Sequence, residues 1–345
     1  MGADRQLASA EAIEQYFELV AAQSDRVKLI ELGLTTGGHR TIAAVISAPE
    51  NIRNLDQIRA SNARLADPRG LTTDDARRLA ASQKVIVAIG ASIHASEIGA
   101  TQASNELLHT LATATDAPTL TVLQNVVVVL IPLLNPDGHR LVTDWYARSV
   151  GTPFEGGPMP WLYQKYAGHD INRDAFMMNL AENRNLARLF NSSWHPQVFL
   201  TMHQMEANGP RAFVPPNTDP IDLNYDPLIW RSAALLGDAM ALELQRERRS
   251  GVVSSAKYDY YWPGFEDSAP IGHNTVCLLI EVASVDVATP VMVNPEDLRA
   301  GFKGLREYRP QSNFPDPWPG GRWSLRDIVD YELIAVRGLL FAASA

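Results

Sequence analysis

Cysteine is almost missing from this sequence. Cys277 is its one thiol in 345 residues, which excludes an internal disulfide framework and any metal site built from cysteines alone. Its apolar setting, VCLLIEV, reads as simple burial. No apolar run reaches the ~18 residues a membrane span needs, and the opening MGADRQLASAEAIEQYFELV lacks the apolar stretch and cleavage site of a secretory signal, so a soluble chain is expected. Positive charge is not in excess either: 39 acidic residues face 30 basic ones, a formal net charge of -9. Such a surface is unsuited to neutralising phosphates, and nucleic acid is set aside as a partner. No His-Glu dipeptide occurs, which excludes metalloproteases of the H-E-x-x-H type. Repeats and low-complexity tracts are absent too.

What is present is a chain 46% hydrophobic and 20% charged, long enough for one large core, and a single domain over 1–345 is expected. Short β-branched runs alternate with longer amphipathic segments, the pattern of an α/β sheet. Strands are expected at 28–33, 41–47, 84–90, 125–132, 198–203 and 276–282, and helices at 9–23, 97–113, 181–192, 229–248 and 324–343. Several strands are apolar without alternation, so both faces of the sheet should be covered by helices. The first two strands, joined by GLTTGGHR, should form a hairpin and make the sheet mixed. The expectation is a three-layer α/β/α sandwich around a mixed, mostly parallel sheet. Segments 150–160, 208–220 and 309–322 read as long surface loops, and the polar, irregular stretch 50–83 as an excursion from the sheet.

The chemistry gathers at strand ends, where open α/β sheets build their sites. In VIVAIGASIHASEIGATQ, His94 and Glu97 stand three apart where a buried strand turns into a helix. This spacing can offer one nitrogen and one oxygen to a zinc ion. A capped or solvated helix end presents the same pair. His203, closing the run VFLTMH, is a third candidate ligand, or else a satisfied core histidine. Three protein ligands would leave a position open for water, the mark of a catalytic zinc. Glu281 interrupts the apolar run VCLLIEV; it is either a general base near such a metal or a strand-end carboxylate facing solvent.

Two further motifs, NPDG at 135–138 and DINRD at 170–174, complete an ordered set: H-x-x-E, N-P-D-G, D-x-N-R, a strand-end histidine, a late strand glutamate. In this order the sequence resembles the zinc carboxypeptidases of the carboxypeptidase A type, the M14 metallopeptidases, over about 80–300. It looks closest to a bacterial branch through DWYARSVGTPFEGGPMPWLYQKYAGHDINRD and PWPGGRWSLRDIVDYE. The resemblance implies one Zn2+ per chain on His94, Glu97 and His203, with Glu281 as general base and proton shuttle. It implies Asp170 as the carboxylate behind the first zinc histidine, and Asn172 and Arg173 as the grip on a substrate's terminal carboxylate. Of Arg140 and Arg148, Arg148 is the candidate for steadying the oxyanion. The closing tyrosine has three counterparts, Tyr258, Tyr260 and Tyr261, with Tyr260 carried as the candidate. Glu266 and Asp267 fall where side-chain preference is set. His169 and His273 are expected in supporting or loop-packing roles near the site.

The activity implied is hydrolysis of C-terminal peptide bonds in peptides with a free C-terminal carboxylate. An amidohydrolase acting on N-acyl amino acids or cell-wall peptides would use the same metal site. A non-catalytic binding module of the same fold is the third reading, against which the presence of Glu281 weighs. The resemblance also implies a secreted or periplasmic protein, although no signal stands in the chain as given.

Overall fold

The computed structural model describes residues 1–164, 167–258, 260–300 and 302–345. Eight strands form the main sheet: β1 Val27–Leu34, β2 Arg40–Ile46, β3 Val85–Ala91, β4 Val126–Ile131, β5 Val198–Met205, β6 Ala212–Phe213, β7 Val252–Val253 and β8 Val276–Ala283. Their order is β1-β2-β4-β3-β5-β8-β6-β7. β1 and β2 are the expected hairpin, and β4, β3, β5 and β8 run parallel through the middle. The sheet is mixed because β2 meets β4, and β8 meets β6, in antiparallel pairs.

Both faces are buried, and side chains two apart share a face. On β4, Val126, Val128 and Leu130 enter one core while Val127, Val129 and Ile131 enter the other. The first core is covered by the Ala10–Gln23, Gly99–Thr113 and Leu325–Ala343 helices, through Ile13, Leu108 and Ile328 among others. The second takes Leu55 and Ile58 from the Leu55–Ala66 helix and Leu186 from the Ala181–Arg188 helix. This is the three-layer arrangement expected from the apolar strands.

Two expectations are corrected. The stretch 50–83 is not irregular: it forms helices Pro49–Arg53, Leu55–Ala66 and Thr73–Ser82. The last of these is capped by Thr72, whose Oγ1 accepts the Asp75 N–H at 3.1 Å, yet it has no buried residue, so no apolar stripe announced it. Segment 208–220 is not simply a surface loop, because Arg211, Ala212, Phe213 and Val214 are fully buried around β6. The Arg211 guanidinium lies between the rings of Trp318 (4.2 Å) and Trp323 (4.9 Å), which ties the 309–322 segment to this sheet edge.

Candidate metal centre

Three parallel strands deliver the site. β3 ends at Ala91, and the chain passes through Ser92, with φ 55°, before the Gly99–Thr113 helix begins. The turn is braced from within. Ser92 Oγ donates to the Glu97 carbonyl at 2.8 Å, Thr101 Oγ1 donates to Ser92 Oγ at 2.6 Å, and Glu97 N–H donates to the His94 carbonyl at 3.0 Å. Gly99 allows a close approach that a side chain would block, since a Cβ there would stand 2.3 Å from Ile328 Cγ2. Its N–H donates to Gln204 Oε1 at 2.7 Å, joining the turn to β5. On β5, Thr201 and His203 share a face, and the parallel register sets Glu281 of β8 beside His203.

The result is a cage. His94 Nδ1 lies 2.9 Å from Glu97 Oε1, His203 Nδ1 lies 2.9 Å from Glu97 Oε2, and the two Nδ1 atoms are 3.2 Å apart. All three donor groups stand within 4.8 Å of one another. Two imidazole nitrogens bound to one tetrahedral zinc lie about 3.3–3.4 Å apart, so the observed spacing fits that ion. With both Nδ1 atoms turned inward, the ring protons belong on Nε2. His94 Nε2 then donates to Asp170 Oδ1 at 3.1 Å and His203 Nε2 to Glu266 Oε1 at 3.2 Å.

The electrostatics suit a cation. Burial pulls His94 down, but Glu97 and Asp170 outweigh it and lift the imidazole to about 9. Burial likewise opposes protonation of His203, yet Glu97 and Glu266 raise it well above the usual range. Burial works against an ionised Glu97, and the two histidines still hold it at about 2. A field that keeps protons on two buried, facing imidazoles will hold a dication in their place. Beside the cage, burial and then Glu97 push the Glu281 carboxyl up to about 7, and its Oε2 is buried with no partner among the described residues.

The cage opens on a cleft of about 150 Å³, lined beyond the histidines by Asn172, Arg173, Tyr258, Phe265, Asp267, Leu279, Glu281 and Lys303. Asn172 Oδ1 accepts the Glu266 N–H at 2.8 Å, which leaves the donor end of the amide for a ligand. The Arg173 guanidinium stacks on the Phe265 ring at 4.2 Å, with Nη1 3.4 Å from Asp170 Oδ2.

His94, Glu97, His203, Glu281, Asp170, Asn172 and Arg173 are therefore brought together, with Glu266, Asp267 and Tyr258 beside them; Arg148, Arg140 and Tyr260 stand apart. Arg148 is exposed in the last turn of the Pro136–Ser149 helix, about 18 Å along the axis from that helix's first residue, and it does not line the cleft. Arg140 is held by Glu11 at 2.8 Å and Glu14 at 3.3 Å. NPDG proves to be a helix start: Asn135 Oδ1 accepts the Gly138 N–H at 2.8 Å, and Asp137 accepts from Thr35 and Gly37 of the β1–β2 turn at 2.6 Å each. Tyr260 is sealed in the second core, its hydroxyl donating to the Cys277 carbonyl at 3.3 Å. Tyr258 is the tyrosine that reaches the cleft, and Tyr261 is exposed. His169 bonds Asp174 at 3.1 Å, a loop-packing contact. Lys303, its Nζ 4.9 Å from the Tyr258 ring centre, went unnoticed in the sequence because nothing in FKGLRE marks it.

The profile of one family, the zinc carboxypeptidases, matches residues 13–221. That span holds His94, Glu97, Asp170, Asn172, Arg173 and His203 but not Glu281. Among solved structures, the chain is similar to a metallo-carboxypeptidase from Burkholderia cenocepacia, with a TM-score of 0.57 and 17% identity over 98% of this chain and 68% of that one. It is also similar to a metallo-carboxypeptidase from Pseudomonas aeruginosa in complex with (2-guanidinoethylmercapto)succinic acid (TM-score 0.60, 15% identity, 97% and 68% covered). Carboxypeptidase A from Helicoverpa armigera gives a TM-score of 0.58 at 12% identity, with 99% and 74% covered. At these identities the likeness is one of fold. A comparison with curated proteins found no match.

Proposed function

The chain belongs to the zinc carboxypeptidase family, and from that premise we propose that His94, Glu97 and His203 hold one zinc ion while Glu281 moves the proton in hydrolysis of C-terminal peptide bonds. Its class is metallocarboxypeptidase, acting on peptides. We read residues 1–345 as one catalytic unit. The observation that carries the assignment of roles is Glu281: a half-buried carboxylate, one of whose oxygens is buried and has no partner among the described residues, in register with His203 at the edge of a three-donor cage.

Zinc, when bound, supplies Lewis acidity, polarising a carbonyl and lowering the pKa of a water toward ~7. Glu281 Oε2 takes the proton of the attacking water and later delivers it to the leaving amine. A carboxyl whose own proton affinity lies near neutrality is matched to both transfers, and a nearby dication shifts it towards the ionised, accepting form. Arg173 offers a planar fork to the substrate's terminal carboxylate, and the Asn172 amide adds a neutral donor. Stacking on Phe265 limits the guanidinium's freedom before substrate arrives, so less entropy is lost on binding. Arg148 is given no step; with Arg173 committed to the terminal carboxylate, Lys303 of the cleft lining is available to offset charge developing on the carbonyl oxygen.

The test pairs zinc-loaded wild type and Glu281→Gln with peptides ending in a free carboxylate or an amide. Release of the last residue from the free form alone is expected, and Glu281→Gln should lose about 10²–10⁴-fold in kcat while retaining zinc. Equal cleavage of amidated peptides would overturn the exopeptidase reading, and undiminished turnover by Glu281→Gln the proposed base. Hydrolysis of N-acyl amino acids without peptide cleavage would move the substrate to the amidohydrolase class.

A further inference from the structure

We infer that Glu266 is the positioning residue of His203: a buried carboxylate that fixes the tautomer and direction of this imidazole and strengthens its hold on the metal, rather than a reader of substrate side chains. The inference rests on the reading of His94, Glu97 and His203 as a zinc cage.

The Glu266 side chain is 1% exposed and the His203 side chain 3%. Oε1 is 3.2 Å from His203 Nε2, the nitrogen turned away from the cage. Thr201, two residues before His203 on the same face of β5, donates its hydroxyl to the same Oε1 and stands 3.0 Å from Nε2. The backbone is fixed as well, because Glu266 N–H donates to Asn172 Oδ1 at 2.8 Å. Asn172 N–H in turn donates to Asp170 Oδ1 at 2.8 Å, the oxygen that serves His94. The two carboxylates behind the two histidines thus come from separate segments laced together through Asn172.

Electrostatics gives the arrangement its purpose. Glu266 Oε2 is buried without a partner among the described residues, so an ionised carboxylate here is under-solvated by its hydrogen bonds alone. A cation transmitted through the imidazole compensates it, and the carboxylate in return makes the imidazole a stronger donor. A group spent in this way does not face the cleft, whose lining includes Asp267 but not Glu266.

The experiment titrates zinc, in competition with a chromophoric chelator, into metal-free wild type, Glu266→Gln and Thr201→Val. Thermal melts of the metal-free forms verify folding. Glu266→Gln should bind zinc about 10–100-fold more weakly with its preference among C-terminal residues unchanged. In the cobalt-loaded protein, the exchangeable ring N–H resonance of His203 should broaden in Glu266→Gln while that of His94 stays. Thr201→Val keeps the carboxylate but removes the hydroxyl bonded to it, and should weaken zinc several-fold; it carries the test if Glu266→Gln does not fold. Unchanged zinc affinity in the variants overturns the inference. So does a change of C-terminal residue preference without a change in affinity, which would return Glu266 to substrate reading. Failure of wild type itself to bind zinc overturns the cage and this inference together.

Discussion

Tyr258 and Tyr260 are two positions apart, and an identical change at each should be felt by different measurements. Tyr260→Phe removes a hydroxyl whose partner, the Cys277 carbonyl, lies in the core, so about 1 kcal/mol of stability should go, read in urea unfolding, with turnover unchanged. Tyr258→Phe, at the cleft wall, should alter kcat or KM. His139 makes a prediction about acid. It is fully buried, with Nε2 donating to the Ala8 carbonyl at 3.0 Å and Nδ1 without a partner among the described residues, and burial pulls it down to about 4. Its depressed folded-state value means that the unfolded chain takes the proton first as pH falls below about 6.5. Its contribution is therefore intact above that pH and lost progressively down to about 4, up to about 3 kcal/mol in all. The difference in stability between wild type and His139→Gln should be level above pH 6.5 and shrink below it; a level difference throughout would contradict this. Sequence reasoning reached His94, Glu97 and His203 as candidates because they stand at strand ends, and Asp170 through the family resemblance alone. It missed the contact of Glu266 with His203 because nothing in GFEDSAP says which of two adjacent carboxylates turns inward.

Elements were legible where periodicity or burial was strong. The six long strands fall within about two residues of their expected limits, since runs such as VVVVLI have no other place than a sheet covered on both faces. β6 and β7 are two residues each, too short for any alternation to show. The Pro136–Ser149 helix was hidden by NPDG, which was read as family wording although a proline in the first turn and an asparagine cap are also a helix start. At this scale the sensitive point is the crossing of the Gly99–Thr113 and Leu325–Ala343 helices. Gly99→Ala drives a methyl toward Ile328 and should cost about 1–3 kcal/mol, seen as a lower urea midpoint. Because Glu97 lies two residues earlier on the same braced turn, zinc affinity should fall as well, and calorimetric titration measures it.

For the molecule as a whole, zinc held by the proposed cage would be a ligand of the folded state alone, because the three donors converge only when β3, β5 and the turn after β3 are assembled. Free zinc at 100 times its Kd should add about 2.7 kcal/mol, and a chelator should lower the melting temperature by several degrees, reversed when zinc is restored. No shift on chelation would contradict the cage. The order of these groups along the chain carries one more consequence. His94 and Glu97 leave the ribosome first, His203 after them, then Glu266 and Glu281, and after those the Leu325–Ala343 helix that closes over Gly99. Under the roles proposed above, a growing chain therefore has no Glu281 beside its metal site until β8 has emerged and docked. On that reading, capture of the metal precedes catalytic competence as the chain is made.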